Sequence, residues 1–177
     1  MTQPKNRSSW ISIAFLLSAT TLVLTGAITG FFYAYSVSVM RGLDAIAPQS
    51  AIVAMQGINA TVRNAMFAPA FFGTPVAGIA AGAVFLILGR KRAGLAMLAA
   101  AAIYIGGAFV PTFAVNVPMN NELAGVNLST ASQPDKIWTD YSDPWTWWNS
   151  LRTAFSALSL ILVGFAIFFA GRDDQAA

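Results

Sequence analysis

The stretch Trp10–Tyr35, WISIAFLLSATTLVLTGAITGFFYAY, carries no charged residue. It is long enough to cross a bilayer as a helix, since about 20 residues span the hydrocarbon core. Lys5 and Arg7 precede it. A secretory signal also has a basic start, but its apolar region runs to only about 7–15 residues. The stretch therefore reads as an uncleaved first span. Three further apolar runs follow, at about 66–88, 93–115 and 151–170, so the expected fold is all-α, a four-helix transmembrane bundle forming a single membrane domain over 1–177. The two longer connections, 36–65 and 116–150, then lie together at the end opposite the termini.

Composition agrees with that reading. Of 177 residues, 56% are hydrophobic and 10% are charged, against about a quarter charged in an ordinary soluble domain. The chain contains no cysteine and no histidine. Disulfides, thiolate chemistry and iron–sulfur ligation are excluded by the first absence. The second removes the commonest metal ligand and the usual general base near neutral pH. Any redox chemistry then rests on a bound organic cofactor, a carboxylate-only metal site or no cofactor at all. The spans also lack interior Asp, Glu, Lys and Arg, which argues against proton-coupled pumps and ion channels. No phosphate loop, dinucleotide fingerprint or basic nucleic-acid patch is present.

Basic residues orient the bundle. Lys5, Arg7, Arg90, Lys91, Arg92 and Arg172 share the side of the termini. The other side holds Arg41, Arg63, Lys136 and Arg152, offset by Asp44, Glu122, Asp135, Asp140 and Asp143. Both termini are expected in the cytoplasm and the chain in the plasma or inner membrane. The pairs Gly26/Gly30 and Gly78/Gly82 match the small-xxx-small pattern of close helix approach. They suit packing inside the bundle, with a homo-oligomer as the alternative.

The connections carry the polar residues. Pro48 opens a predicted helix in which Ile52, Met55, Ile58 and Val62 mark one face and Gln56, Asn59 and Arg63 another. That helix either lies on the membrane surface with its polar face in water or turns this face toward a pocket. Asn116 and Asn120 would share a face four residues apart if the helix persists past Pro118, which favours a kink or an end. Asn116 is then either a helix cap or a binding group. Trp145, Trp148, Asn149 and Arg152 fall along one helical stripe, while Trp147 points elsewhere. Tryptophans belong to interfacial belts in any case. Arg152 either snorkels outward, pairs with Glu122 or Asp143, or holds an anionic oxygen of a ligand.

Five segments in order, Thr29–Leu43 (TGFFYAYSVSVMRGL), Ala54–Asn64 (AMQGINATVRN), Phe71–Pro75 (FFGTP), Asn116–Leu123 (NVPMNNEL) and Trp145–Thr153 (WTWWNSLRT), resemble the anthrone oxygenase family, DUF1772, of small four-helix membrane proteins. The resemblance covers about residues 25–154. It implies oxidation of anthrones to anthraquinones by molecular oxygen, with neither metal nor flavin. The polar positions it implies for a site are Tyr35, Gln56, Asn59, Asn64, Asn116, Asn120, Trp148, Asn149 and Arg152. The family's frequent histidine after the Trp-Asn pair is replaced by Ser150.

The implied chemistry needs an apolar slot, donors to a developing oxyanion and a base. Trp145 and Trp148 could wall the slot, and Asn149, Asn120 and Arg152 could donate. Glu122, Asp143, Tyr33 and Tyr35 are the candidate bases, none of them decisive. Two function classes follow: a cofactor-free oxygenase of a small aromatic or quinone-related substrate, or a non-catalytic membrane protein that binds a lipophilic ligand or supports a partner.

Overall fold

In the computed structural model, the described residues are 4–175 for the backbone and 8–172 for side chains. The side chains of Lys5 and Arg7, used above for orientation, lie outside the described residues. Among the described residues every regular element is helical. These are α1 (Pro4–Ala34), α2 (Met40–Asp44), α3 (Pro48–Thr61), α4 (Phe67–Ile87), α5 (Lys91–Tyr104), α6 (Val117–Ala124) and α7 (Pro134–Gln175). Four continuous helical stretches are long and apolar enough to cross a membrane: Ser8–Asp44, Phe67–Ile87, Lys91–Ala124 and Pro134–Arg172. They neighbour one another in the cyclic order α1, α4, α5, α7.

Three of these helices outrun the apolar stretches that announce them, so helix reaches into the segments 36–65 and 116–150. The first continues to Asp44, the third to Ala124, and the last begins at Pro134. At 1.5 Å per residue, the 42 residues of α7 extend about 63 Å, roughly twice the ~30 Å hydrocarbon core. Hydropathy marks where lipid ends, and the helices project beyond that point. The protruding part of α7 becomes a post against which α2, α3 and α6 pack. Met40, Leu43, Ala51, Ile52, Met55, Leu123, Trp138, Tyr141 and Trp145 form one buried cluster there. α3 is therefore part of a cap over the bundle, with its apolar face against α7.

Two prolines explain how the third stretch stays helical. A proline cannot donate to the carbonyl four residues earlier. Immediately before Pro111 and Pro118 the backbone widens into single π-helical turns, Ile105–Phe109 and Thr112–Asn116. Val110 N–H bonds to the Ile105 carbonyl and Val117 N–H to the Thr112 carbonyl, each five residues back. The register shift carries the chain past both prolines, so of the kink or end expected at Pro118 the end does not occur and the helix continues through a π turn. Asn116 keeps helical dihedrals and makes no side-chain cap bond, which removes its reading as a cap. A third π turn, Tyr35–Val39, lies in the first stretch. Such turns commonly re-aim side chains at functional sites, and Tyr35, Thr112 and Asn116 all lie in one.

Pro75 poses the same problem inside α4. The carbonyl it leaves without its usual partner is that of Phe71, and the buried Tyr104 hydroxyl donates to it at 3.0 Å. Within a membrane such a freed carbonyl needs a protein partner. The Gly78/Gly82 pair packs internally: a Cβ at Gly82 would lie 3.2 Å from the Gly94 carbonyl, and one at Gly94 3.0 Å from that of Gly82. α4 and α5 therefore touch backbone to backbone. A Cβ on Gly26 or Gly30 would meet nothing within 4 Å.

Candidate functional site

Arg152 lies at the junction of bundle and cap and is only 4% exposed, so it does not snorkel. Its Nη1 donates to Thr112 Oγ1 at 2.9 Å and its Nη2 to Asn149 Oδ1 at 2.9 Å. The guanidinium lies 4.5 Å from the ring centre of Phe32 and 5.3 Å from that of Trp145. Cation–π contacts of this kind offset part of the cost of removing the charge from water. Two of the five guanidinium N–H donors are occupied, and Nε has no partner. Among the described residues no carboxylate pairs with it. Glu122 and Asp143, the expected alternatives, are exposed. A buried cation without a counter-ion is costly, and this one lines a cavity.

That cavity has a volume of about 380 Å³, within the ~300–1,000 Å³ range of small-molecule pockets. Its walls are aromatic: Phe31, Phe32, Tyr35, Phe67, Phe71, Phe72, Phe113 and Trp145. Phe71 stacks on Phe67 with centroids 5.3 Å apart and planes 17° apart, and on Phe109 at 5.0 Å and 15°. The stack fixes Phe71 in the wall, with Phe109 behind it.

Polar groups enter from the cap. Asn116 is 1% exposed; its Nδ2 donates to the Trp145 carbonyl at 3.4 Å, and its Oδ1 has no partner. Asn120 Oδ1 accepts from the Tyr141 hydroxyl and from Trp145 Nε1, both at 2.8 Å, which holds the Trp145 indole against the guanidinium. Asn59 Nδ2 donates to the Tyr141 hydroxyl at 3.3 Å. Asn64 caps the start of α4, its Oδ1 accepting from the backbone N–H of Met66 and Phe67 at 2.9 and 3.0 Å. Tyr35 packs on Phe31 and Trp145, with centroids 4.7 and 5.8 Å away.

Seven of the residues singled out from the sequence thus line one cavity: Tyr35, Asn59, Asn64, Asn116, Asn120, Trp145 and Arg152. Three do not. Gln56 donates to the Leu123 and Val126 carbonyls at 2.9 and 3.1 Å, satisfying the end of α6. Trp148 is half-buried and packs edge-on against Trp147, with centroids 5.0 Å apart, outside the cavity. Asn149, expected as a donor to substrate, is fully buried; its Nδ2 donates to the Phe32 carbonyl and to Ser36 Oγ, both at 2.7 Å. With its oxygen on Arg152, Asn149 aims the guanidinium. Ser150, where the family often has histidine, bonds to Ser36 at 2.9 Å and faces outward. Of the candidate bases only Tyr35 lines the cavity, Tyr33 being exposed. Among the described residues no group of three or more acidic side chains comes together as a metal site.

The phenylalanine walls and Thr112 were not singled out in the sequence. Apolar residues facing a cavity and apolar residues facing lipid look alike in a span. The one available signal was the density of rings in FFGTP and at Phe109 and Phe113.

A family model described as anthrone oxygenase matches residues 63–162. The match begins at the rim residue Arg63 and takes in Asn116, Asn120, Trp145, Asn149 and Arg152. No curated protein and no solved structure matches the chain.

Proposed function

The chain belongs to the anthrone oxygenase family, and from that premise we propose that the Arg152 cavity binds a flat aromatic ketone as its enolate and presents it to molecular oxygen. The observation that carries this reading is the buried guanidinium with unused donors and no carboxylate partner. An enolate supplies the missing negative charge, and charge-assisted hydrogen bonds are the stronger kind. The aromatic walls and a volume of about 380 Å³ suit two or three fused rings.

The step is balanced without any group from outside the pair of reactants. The ring CH₂ across from the carbonyl, conjugated to it through the flanking rings, loses a proton, and its electron pair is delocalised onto oxygen, opposite Arg152. The electron-rich enolate reduces O₂ and forms a C–O bond at the former CH₂ carbon. Loss of water from the resulting hydroperoxide leaves a second carbonyl, so one oxygen atom stays in the quinone and the other departs as water. No carboxylate or imidazole lines the cavity. Arg152 therefore acts on the stability of the enolate, and the proton leaves to solvent at the mouth beside Asn59, Arg63 and Asn64.

Arg152 favours the ionised form of the ligand, so the ligand's pKa falls on binding. The affinity gained this way is full above the free ligand's pKa and is lost as pH falls through the bound ligand's pKa. An anaerobic titration of anthrone, followed by its visible enolate absorbance, checks this. With protein the band is expected at lower pH than without. An unchanged titration in the presence of bound anthrone defeats the reading. We also place both termini in the cytoplasm, supported by the basic cluster Arg90, Lys91, Arg92 and Arg172. A carboxyl-terminal reporter that matures only in the cytoplasm should then be active, and an inactive one in a folded fusion reverses the orientation.

A further inference from the structure

We propose that the ligand of the Arg152 cavity carries an apolar chain, alkyl or prenyl, which runs into the bilayer through a lateral groove between α1 and α4. The proposal rests on the enolate reading above and names the class of substrate. A second cavity of about 460 Å³ lies beside the first. The two share Phe31, Tyr35, Ile58, Val62, Asn64 and Phe67 as walls. The groove then continues along α1 and α4 to Ala27, Ile28 and Ala70. Ala27 is eight residues before Tyr35, so the groove descends about 12 Å toward the middle of the bundle. A chain of several carbons fits that length.

The partition between the two spaces is a pair of rings, Phe31 and Phe67, with centroids 5.2 Å apart. Both are half-buried, and no hydrogen bond holds the Tyr35 hydroxyl beside them among the described residues. Turning one ring joins the spaces, whereas the opposite walls are fixed: Phe71 and Phe32 are each 1% exposed. Thr61 and Asn64 border the groove at its cap end, and a chain that runs on toward Ala27, Ile28 and Ala70 meets apolar walls. The other way out passes the exposed Arg63, which lines the first cavity and not the groove, and there an apolar chain would meet water. Lipid and groove are equally apolar, so the groove adds no hydrophobic driving force. It selects by shape, admitting an aromatic head whose chain has somewhere to go.

The test compares 2-hydroxy-1,4-naphthoquinone with its 3-decyl derivative, both anionic and coloured, binding to the full-length protein in phosphatidylcholine nanodiscs. Partitioning into empty nanodiscs is subtracted. Ala27→Phe and Ala70→Phe, made separately, fill the groove from opposite helices. The expected result is that both probes bind the parent and that each groove variant weakens the decyl probe by about tenfold or more, as overpacking does. The chainless probe should bind the variants as it binds the parent, which also reports that they are folded. Equal weakening of the two probes, or no weakening of either, overturns the proposal and leaves the groove to a bilayer lipid chain. Binding of the chainless probe alone to the parent overturns it as well. If neither probe binds the parent, or if Arg152→Gln leaves both affinities intact, the enolate reading fails and the groove proposal falls with it.

Discussion

Arg152→Gln is expected to lower the rate of anthrone oxidation by about 10²–10³-fold, the usual cost of removing one donor to a developing oxyanion. Glutamine can still hydrogen-bond across the cavity, so the main loss is the charge facing the enolate. Arg152→Lys should fall between parent and glutamine variant. It keeps the charge but loses the planar fork that reaches Thr112 and Asn149 together. Initial rates of quinone formation measure both, with helical content and elution volume confirming that each variant folds. A glutamine variant within threefold of the parent would separate Arg152 from the chemistry.

Asn149→Asp should have an effect of similar size by a different route. The parent amide donates to the Phe32 carbonyl and Ser36 and accepts from Arg152 at 2.9 Å. A carboxylate in that place supplies the counter-ion that the guanidinium lacks. Neighbouring opposite charges couple by roughly 1–3 log units, so affinity for an anionic probe should fall by about ten- to a thousandfold. A neutral analogue of the same shape, anthraquinone, should bind about as well as to the parent. That contrast is what a disrupted fold would not produce, since it would weaken both. Equal affinities for the anionic probe in parent and variant would mean that no charge on Arg152 is directed at the ligand.

The architecture was legible wherever hydropathy carries the information. Four spans are visible as runs, and the helix beginning at Pro48 is visible in the three-to-four spacing of Ile52, Met55 and Ile58. The ends of the helices were not, because Asp44, Asn120 and Trp138 are polar or amphipathic residues on helices that have merely left the lipid. Pro118 left a kink or an end open for a related reason. Its effect depends on whether the backbone can slip into a π turn, and that is settled by what packs around it.

In the site, Arg152 stood out as a charge at the edge of a span on the side poor in positive residues. Its isolation from carboxylates could not be read, since Asp143 is near in sequence yet exposed, as is Glu122. The partner that aims it was visible as a residue, Asn149, but its contact with the Phe32 carbonyl joins positions 117 apart in sequence. Trp145 and Trp148 looked equivalent on one stripe. Three residues turn a helix by about 300°, leaving them some 60° apart, and that offset puts one ring in the cavity and the other outside it.

The most direct test of the central claim follows oxygen uptake and quinone absorbance together, with purified parent protein and emodin anthrone under air. The account predicts turnover above the spontaneous rate, one O₂ consumed per quinone formed, abolished by boiling and nearly abolished in Arg152→Gln. Oxidation no faster than the spontaneous rate, with anthrone bound in the cavity, would contradict it and make this member of the family a binding protein.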